Sequence, residues 1–250
     1  MARMTHQGRL VRFWFPLALT LPLAFVLASC LSESVAVKAD SDADSSSPPA
    51  LKKSLRRRPE TDKNAECLLR TLDGAFIQSV FAERSPKTGL ALREALTLAI
   101  LEESEAGGID PMAILGLIHA ESRFDIEARS PAGARGLVQM QPITARHMAA
   151  QEFLDLSEDE IASDPELQLR LGIRYLVSLK KRFQTLEKAL IAYNAGPTKL
   201  QRLISKNSPL DAYLGYPKSV MKNAARFRRL RGEFAAARGG EGAFRLSCSP

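Results

Sequence analysis

Residues 110–145 read DPMAILGLIHAESRFDIEARSPAGARGLVQMQPITA and open with a strong helix signal. Asp110 can cap the free N–H groups of a first turn, and Pro111 stands where a missing N–H costs nothing. Apolar residues then recur at helical spacing and end in an acid on the same stripe, at Ile114, Leu117, Ile118 and Glu121. The pattern predicts a buried helix whose last turn holds the Glu121 carboxyl partly out of water.

A carboxyl group in that position has a clear chemical use. Burial disfavours the charged form and raises the pKa of Glu121, so the group can stay protonated near neutral pH. A protonated glutamic acid can donate to a leaving-group oxygen, which is what cleavage of a glycosidic bond requires. Periodicity alone favours the alternative that Glu121 ends the helix with its side chain in solvent, since most acids at helix ends are exposed.

Helical periodicity continues through the chain from residue 63, and no hairpin signal interrupts it. Ser157 and Glu160 have the spacing of a capping box, and Asp164-Pro165 repeats the helix start seen at residue 110. We predict helices over 65–83 and 90–106, from Pro111, from Pro165, over 186–193 with a stop at Gly196-Pro197, and from Pro217. These helices predict a single all-α, roughly lysozyme-sized domain over 63–231, followed by a loose tail over 232–250 unless Cys248 ties it down.

The N-terminus has the order of an export signal over residues 1–29: scattered arginines, an apolar run over 13–28, and small residues. A transmembrane helix is the competing interpretation, but the run is short and prolines interrupt it. Residues 27–30, LASC, resemble the lipobox of bacterial lipoproteins, which implies that Cys30 carries acyl chains such as palmitate and anchors the protein to a membrane. Leu31 stands where that resemblance expects Asp for inner-membrane retention. We therefore expect an outer-membrane anchor facing the periplasm of a Gram-negative cell.

Residues 30–62 are rich in Ser, Asp, Pro and Lys and predict a flexible, lipid-anchored linker. The basic run KKSLRRR at 52–58 is interpreted as solvated linker, with contact to anionic lipid or cell wall as the alternative. Without the three arginines of the signal, the formal charge falls from +7 to +4. A mildly basic protein suits an anionic polymer or surface, although an ordinary soluble protein fits this charge equally well.

The remaining cysteines and the histidines give weaker predictions. Cys67 and Cys248 stand near the two ends of the folded part, and in an exported protein they are candidates for a disulfide. His119 lies two residues from Glu121, hence on the opposite helix face, and is interpreted as a surface or packing residue. No cysteine–histidine cluster has the spacing of metal ligands, so no metal and no cofactor are expected.

Two small-residue motifs complete the candidate site. Gly133 and Gly136 allow positive φ and close backbone approach just before Gln139. A second motif, AYNAGP over 192–197, contains Tyr193 and Asn194. Amide and phenol groups of this kind can bind a sugar that carries N-acetyl groups, although such residues more often satisfy local backbone.

Together, ES at 121–122, GARGLVQ at 133–139 and AYNAGP at 192–197 resemble the bacterial lytic transglycosylases of the SLT family. The resemblance covers about residues 105–230 and implies a lysozyme-like fold, related to goose-type lysozyme. It also implies cleavage of the β-1,4 bond between N-acetylmuramic acid and N-acetylglucosamine in peptidoglycan, with 1,6-anhydromuramic acid ends as product. Peptidoglycan strands are then the expected partner, with no nucleic acid involved.

Carried over by position, Glu121 is the acid that protonates the glycosidic oxygen and then the base that deprotonates the C6 hydroxyl. The substrate's own acetamido group is expected to stabilise the intermediate, so no second carboxylate is needed. The resemblance makes Ser122 a residue that orients Glu121, and it places Gln139, Tyr193 and Asn194 along the groove. A lysozyme-like hydrolase and a non-catalytic peptidoglycan-binding lipoprotein remain the alternatives.

The sequence departs from the family pattern at two places. Val138 stands where the family often has Met, which is a conservative change in a packed position. Many members also carry an ETxxYV-like segment whose Tyr reaches the catalytic acid, and here Val220 stands where that Tyr is expected. Tyr216 or Tyr213 could supply the partner from a shifted position, or the partner is absent.

Overall fold

The computed structural model describes residues 63–244, and this part of the chain is built almost entirely from helices. The α-helices are α1 (Lys63–Arg70), α2 (Leu72–Arg84), α3 (Leu90–Gly107), α4 (Pro111–Glu121), α5 (Pro142–Gln151), α6 (Glu158–Ala162), α7 (Pro165–Phe183), α8 (Leu186–Ala195), α9 (Pro197–Ser205) and α10 (Gly215–Ala236). Short 3-10 turns cover Asp211–Tyr213 and Glu241–Phe244. Within 63–244, extended pairing is limited to isolated bridges of Arg135 with Arg129 and Met140. The predicted all-α, mostly helical class is confirmed.

The helix starts predicted from capping residues are confirmed. The Asp110 side chain accepts a hydrogen bond from the Met112 backbone N–H at 2.8 Å, at the start of α4. At the start of α7, the Asp164 side chain accepts from the Leu167 N–H at 3.0 Å. Both halves of the capping box that begins at Ser157 are present. Local side-chain chemistry therefore sets where these helices begin.

Other helix boundaries differ from the prediction. The single helix predicted over 65–83 is two helices, because the Thr71 hydroxyl accepts from the Gly74 N–H at 3.1 Å and caps a new helix. Helices α5 and α9 were not predicted. Each begins at a proline, but the residues before them, Gln141 and Gly196, form no side-chain cap, so the usual start signal is missing.

Residues 232–244, which were expected to be loose unless Cys248 ties them down, belong to the end of a helix and a 3-10 turn. Helix α10 continues past residue 231, and the Phe234 ring packs edge-on against the Phe76 ring with centroids 5.6 Å apart. The Arg231 guanidinium lies 3.2 Å from Glu241 in the following 3-10 turn. These contacts hold residues 232–244 on the domain, so its C-terminal boundary lies beyond the predicted residue 231.

Helix α4 lies at the centre of the core and packs against α10. All residues from Met112 to Ile118 are buried, so α4 is apolar on every side rather than on one stripe. A Cβ at Gly116 would lie 2.5 Å from the Val220 carbonyl oxygen and 2.9 Å from the Ala224 nitrogen. The two helices can approach this closely only because residue 116 is glycine. They run antiparallel, so the end of α4 meets the beginning of α10.

A buried ionic cluster joins α3 to α7. Arg170 is 3% exposed, and its Nη1 atom lies 2.8 Å from Glu102 and 3.2 Å from Glu103. Its Nε atom donates to Glu166 at 2.9 Å, while Arg174 donates to Glu103 at 2.8 Å. Because each of these acids is paired with a guanidinium, the cluster can be buried and can bind the two helices together.

Several predictions fall on residues outside 63–244, including the signal at 1–29, the linker at 30–62, Cys30 and Cys248, and they stay predictions. Cys67 is disulfide-bonded, but the predicted pairing with Cys248 involves an undescribed residue. Within residues 63–244, no helix combines the length and the apolar character needed to cross a bilayer.

Candidate active site

Glu121 ends α4 half-buried, and its carboxylate is bound by a tyrosine from another helix. The Tyr216 hydroxyl, in the first turn of α10, donates a hydrogen bond to Glu121 Oε1. The close packing of α4 on α10 at Gly116 brings these two helix ends together. The alternative that Glu121 extends freely into solvent is therefore excluded.

The electrostatics of Glu121 follow from this position. Burial raises its pKa above the usual range of a glutamic acid, and the hydrogen bond from Tyr216 opposes that rise. Burial also raises the pKa of the Tyr216 hydroxyl, and the neighbouring Glu121 charge raises it further. Tyr216 thus stays protonated and remains a donor, while Glu121 is the group able to gain and lose a proton.

Tyr216 is the tyrosine that hydrogen-bonds to Glu121, so the partner stands at a position shifted from Val220. Residues 216 and 220 are one helical turn apart, so both lie on the face of α10 that packs against α4. Val220 is 1% exposed and packs beside Gly116. Tyr213 has a different environment, with the Lys199 ammonium 5.0 Å from its ring centre. The partner is therefore present, one turn earlier than expected.

Tyr193 is a second phenol near the acid and holds the Gly-rich loop in place. Its hydroxyl donates to the Val138 carbonyl oxygen at 2.7 Å, and its ring lies 5.5 Å from that of Tyr175. Burial raises the pKa of Tyr193 well above its ordinary value, with a further contribution from the Glu121 charge. Tyr193 therefore connects α8 to the loop and lies within electrostatic reach of the acid. Its proposed contact with substrate stays a prediction.

The glycines of the loop are needed for its path. Gly133 and Gly136 have φ of 86° and 75°, in the left-handed region that glycine adopts without strain. A Cβ at Gly136 would also lie 2.1 Å from Gln168 Oε1, so α7 approaches the backbone directly there. The positive φ values anticipated for these two residues are confirmed.

Gln139 stabilises the Gly-rich loop, in addition to its predicted role in substrate binding. Its Nε2 atom donates to the carbonyl oxygens of Ala128 and Gly136, at 3.0 and 2.9 Å. These bonds hold the loop in shape and leave Oε1 as the amide atom that they do not use. Asn194 is exposed near the end of α8. Substrate binding by either residue stays a prediction.

Ser122 and the next two residues form a tight turn directly after the acid. The Ser122 hydroxyl donates to the Ile118 carbonyl oxygen and accepts from the Phe124 N–H, both at 3.2 Å. Arg123 and Phe124 then have φ of 56° and 72°, which is unusual for residues with side chains. Ser122 thus stabilises the helix end that carries Glu121, and its effect on the orientation of the carboxylate stays a prediction.

No second carboxylate contributes to the pKa of Glu121 among the described residues, since burial and Tyr216 are its causes. Asp125 and Glu127, the acids that follow Glu121 in the chain, line a cavity whose walls do not include Glu121. The group that hydrogen-bonds to the Glu121 carboxylate is therefore a phenol, that of Tyr216.

The structure describes two of the three histidines, His119 and His147. The His119 ring packs against Phe124 and Phe227 with centroids 6.3 and 6.2 Å away, which confirms it as a packing residue. His147 is exposed on α5 and hydrogen-bonds to Gln151. Across residues 63–244, no group of three His, Cys, Asp or Glu side chains could hold a metal ion.

The chain is similar to known proteins over this region. The model of the family described as "Transglycosylase SLT domain" matches residues 99–214. The chain is 33% identical over 153 residues to "Membrane-bound lytic murein transglycosylase F" of Nitrosospira multiformis, which covers 56% of this chain and 30% of that protein. It is 26% identical over 133 residues to "Soluble lytic murein transglycosylase" of Escherichia coli K12, covering 48% and 21%. The chain therefore spans less than a third of the length of either relative.

Among solved structures, the chain is similar to the 70 kDa soluble lytic transglycosylase from Escherichia coli. The TM-score is 0.48 and the sequence identity 22%, over 76% of this chain and 33% of that one. Tyr216 lies just beyond the last residue of the family match, which ends at residue 214.

Proposed function

We propose that the protein is a peptidoglycan lytic transglycosylase, because residues 99–214 match the model of the transglycosylase SLT domain. It cleaves the β-1,4 bond between N-acetylmuramic acid and N-acetylglucosamine and leaves 1,6-anhydromuramic acid ends. The observation that carries this proposal is the half-buried Glu121, whose pKa is raised by burial and whose Oε1 accepts from Tyr216.

In the first step, Glu121 acts as an acid. The hydrogen bond from Tyr216 occupies Oε1, which makes Oε2 the oxygen that carries the proton. That proton passes to the glycosidic oxygen, the bond from C1 of the muramic acid breaks, and the electron pair leaves with the oxygen. The hydrogen bond from Tyr216 strengthens as Glu121 becomes charged, because bonds to an ionised acceptor are stronger.

In the second step, Glu121 acts as a base. Its carboxylate takes the proton of the C6 hydroxyl, and O6 attacks C1 to close the 1,6-anhydro ring. Between the steps, the carbonyl oxygen of the substrate's acetamido group bonds to C1 and is then displaced by O6. No water is consumed, and Glu121 ends the cycle protonated. The lack of a second carboxylate contribution to the Glu121 pKa among the described residues supports this substrate-assisted route.

The groove is proposed to form around the residues that the sequence singled out. Tyr193 lies near the end of α8 with its hydroxyl bonded to the Val138 carbonyl oxygen of the Gly-rich loop, and the exposed Asn194 follows it in the chain. Gln139 Oε1 and the Asn194 amide are suitable partners for the N–H and hydroxyl groups of N-acetylated sugars. Ser122 supports the helix end beneath them.

The proposed location is the periplasmic face of the outer membrane, through acyl chains on Cys30. The LASC sequence at 27–30 supports it. Labelled palmitate should enter the wild-type chain and not a Cys30→Ser variant in growing Gram-negative cells. Labelling that persists in the variant would refute the anchor without affecting the proposed chemistry.

The central experiment is digestion of purified peptidoglycan by wild type and by Glu121→Gln, with the products identified by mass spectrometry. Wild type should release fragments whose muramic acid ends are lighter by one water than hydrolysed ends. Glu121→Gln should lower the rate by roughly 100- to 10,000-fold, the usual contribution of an acid–base group. Glu105→Gln, an identical change at an exposed position on α3, should leave the rate unchanged.

The same experiment separates the alternatives. Ends that contain the added water would identify a lysozyme-like hydrolase instead. Wild-type chain that binds peptidoglycan but releases nothing would identify a binding lipoprotein. Full activity in Glu121→Gln would refute the assignment of the acid.

A further inference from the structure

The turn that follows Glu121 has a strained backbone. Arg123 and Phe124 have φ of 56° and 72°, so two consecutive residues with side chains lie in the left-handed region. Outside glycine this conformation is unfavourable, and it persists only where the surrounding structure enforces it. Neither side chain takes part in the proposed reaction, so the packing around the turn has to hold it in this shape.

The Phe124 ring fixes the turn between two helices. It is 0% exposed and makes edge-to-face contacts with Phe81 of α2 and Phe227 of α10, at centroid distances of 5.5 and 5.8 Å. The Arg84 guanidinium lies over the rings of Phe124 and Phe227, 5.8 and 5.4 Å from their centres. Edge-to-face and cation–π contacts are attractive and add to the effect of burying the ring. The Phe124 side chain is therefore held by both α2 and α10.

Two hydrogen bonds connect Phe124 to the last turn of α4. The Phe124 N–H donates to the Ser122 hydroxyl, and that hydroxyl donates to the Ile118 carbonyl oxygen, both at 3.2 Å. Ser122 also follows Glu121 directly in the chain. A displacement of the Phe124 ring would therefore move the backbone that carries the Glu121 carboxylate.

Helix α10 contacts both the acid and the turn after it. In the first turn of α10, Tyr216 donates to Glu121 Oε1, and further along the helix the Phe227 ring packs on Phe124. The first contact holds the carboxylate, and the second holds the backbone that follows it. Because both contacts belong to one helix, the second helps to fix where the Tyr216 hydroxyl meets Glu121.

We propose that Phe124 is a positioning residue for the reaction of Glu121. Held between α2 and α10, it keeps the end of α4 where the Glu121 carboxylate meets the Tyr216 hydroxyl. The inference rests on the proposed function, because it concerns the hydrogen bond made to the reacting acid. A residue that only filled the core would affect stability and leave Glu121 unchanged.

The test measures the protonation of Glu121 directly. NMR titration of its carboxyl carbon in the full chain, assigned by the loss of the signal in Glu121→Gln, needs no substrate. Phe124→Leu keeps an apolar side chain but removes the edge-to-face contacts, so the hydrogen bond from Tyr216 should weaken. Because that bond opposes the rise in the Glu121 pKa, the pKa should move further up.

The same variant should also react more slowly with peptidoglycan. The rate of release of anhydro ends should fall about threefold to tenfold, in line with a weakened hydrogen bond to a charged group. Phe124 is 0% exposed and touches no substrate, so KM should stay within about twofold of the wild-type value.

A double-mutant cycle with Tyr216→Phe decides whether Phe124 acts through this hydrogen bond. In the Tyr216→Phe background, Phe124→Leu should leave the Glu121 pKa where it is and change the rate less than about twofold. An indirect effect through His119, whose ring also packs against Phe124 with centroids 6.3 Å apart, would persist in that background.

Phe76→Leu is the matched control. Phe76 is 3% exposed, and its ring packs edge-on against Phe234 near the other end of α10. This variant should lose stability in urea as Phe124→Leu does, with the Glu121 pKa and the rate as in wild type. Should circular dichroism show that Phe124→Leu is unfolded, Phe227→Leu removes the same ring contact from α10 and is judged by the same titration.

Three outcomes would overturn the proposal: an unchanged or lowered Glu121 pKa in Phe124→Leu, the same shift in Phe76→Leu, or a shift that persists in the Tyr216→Phe background. The enzymatic proposal is judged separately. Wild type that releases no anhydro ends would refute the reaction, whereas the NMR titration would still show whether Phe124 positions Glu121.

Discussion

Two partly buried carboxyl groups of this molecule, Glu121 and Glu166, have the same side chain and opposite surroundings. Burial is the largest cause that raises the pKa of each. Glu166 then lies against Arg170, a cation that cannot lose its charge, whereas Glu121 lies against Tyr216, a neutral donor. An acid held by a permanent cation serves to join helices. An acid held by a phenol can change its protonation state without breaking the structure around it.

The largest expected effect concerns the ionic cluster. Arg170→Met should lower the free energy of unfolding by about 3–5 kcal/mol, because it leaves the largely buried Glu166 carboxylate without its guanidinium partner and leaves Glu103 with Arg174 alone. Urea denaturation measures this loss. Arg229→Gln breaks an exposed pair with Glu233 and should change the free energy by about 0.5 kcal/mol or less. If Arg170→Met were as stable as wild type, the cluster would not be the scaffold described.

A smaller effect is expected when the Tyr216 hydroxyl group is removed. Tyr216→Phe removes the hydrogen bond that opposes the rise in the Glu121 pKa, so that pKa should move further up. The alkaline limb of the pH–rate profile should shift to higher pH, and the rate should fall about tenfold or more, in line with a lost hydrogen bond to a charged group. Tyr213→Phe, in the same segment but beside Lys199, serves as control. Identical profiles for the two variants would contradict the role of Tyr216.

The smallest effect concerns stability at Glu121 itself. Its folded pKa lies above the unfolded value, so the folded state holds the proton more tightly, and stability is lost as the pH rises through that interval. Glu121→Gln cannot ionise. The variant should therefore become more stable relative to wild type above the folded pKa, with no pH-dependent gain below the unfolded pKa. Thermal unfolding across the acidic and neutral range measures the difference. A difference that does not vary with pH would show that the pKa of Glu121 is not raised.

The sequence predicted what depends on neighbours along the chain. Asp110 and Asp164 begin helices because their side chains reach backbone groups two or three residues away. The stripe ending at Glu121 allowed a partly buried acid, but periodicity alone favoured an exposed one, and the structure shows the acid partly buried. The glycines at 133 and 136 gave the positive φ values of the loop.

Contacts between residues far apart in the chain could not be predicted from local sequence patterns. Tyr216 and Glu121 are 95 positions apart, and the placement at Val220 was one helical turn off because both positions share a helix face. The pairing of Arg170 with Glu103 spans 67 positions and had no local signal. Gln139 was expected to face substrate, but its amide nitrogen is bound by loop carbonyls that only the folded loop brings near.

Gly116 affects the hydrogen bond between Tyr216 and Glu121, which lies more than one helical turn away along α4. It sets the spacing between α4 and α10, because the Val220 carbonyl oxygen lies only 2.5 Å from the position that a Cβ at residue 116 would take. The hydrogen-bond donor Tyr216 and its acceptor Glu121 lie on these same two helices. The distance between the Tyr216 hydroxyl and the Glu121 carboxylate therefore depends on how closely the two helix backbones pack in the core.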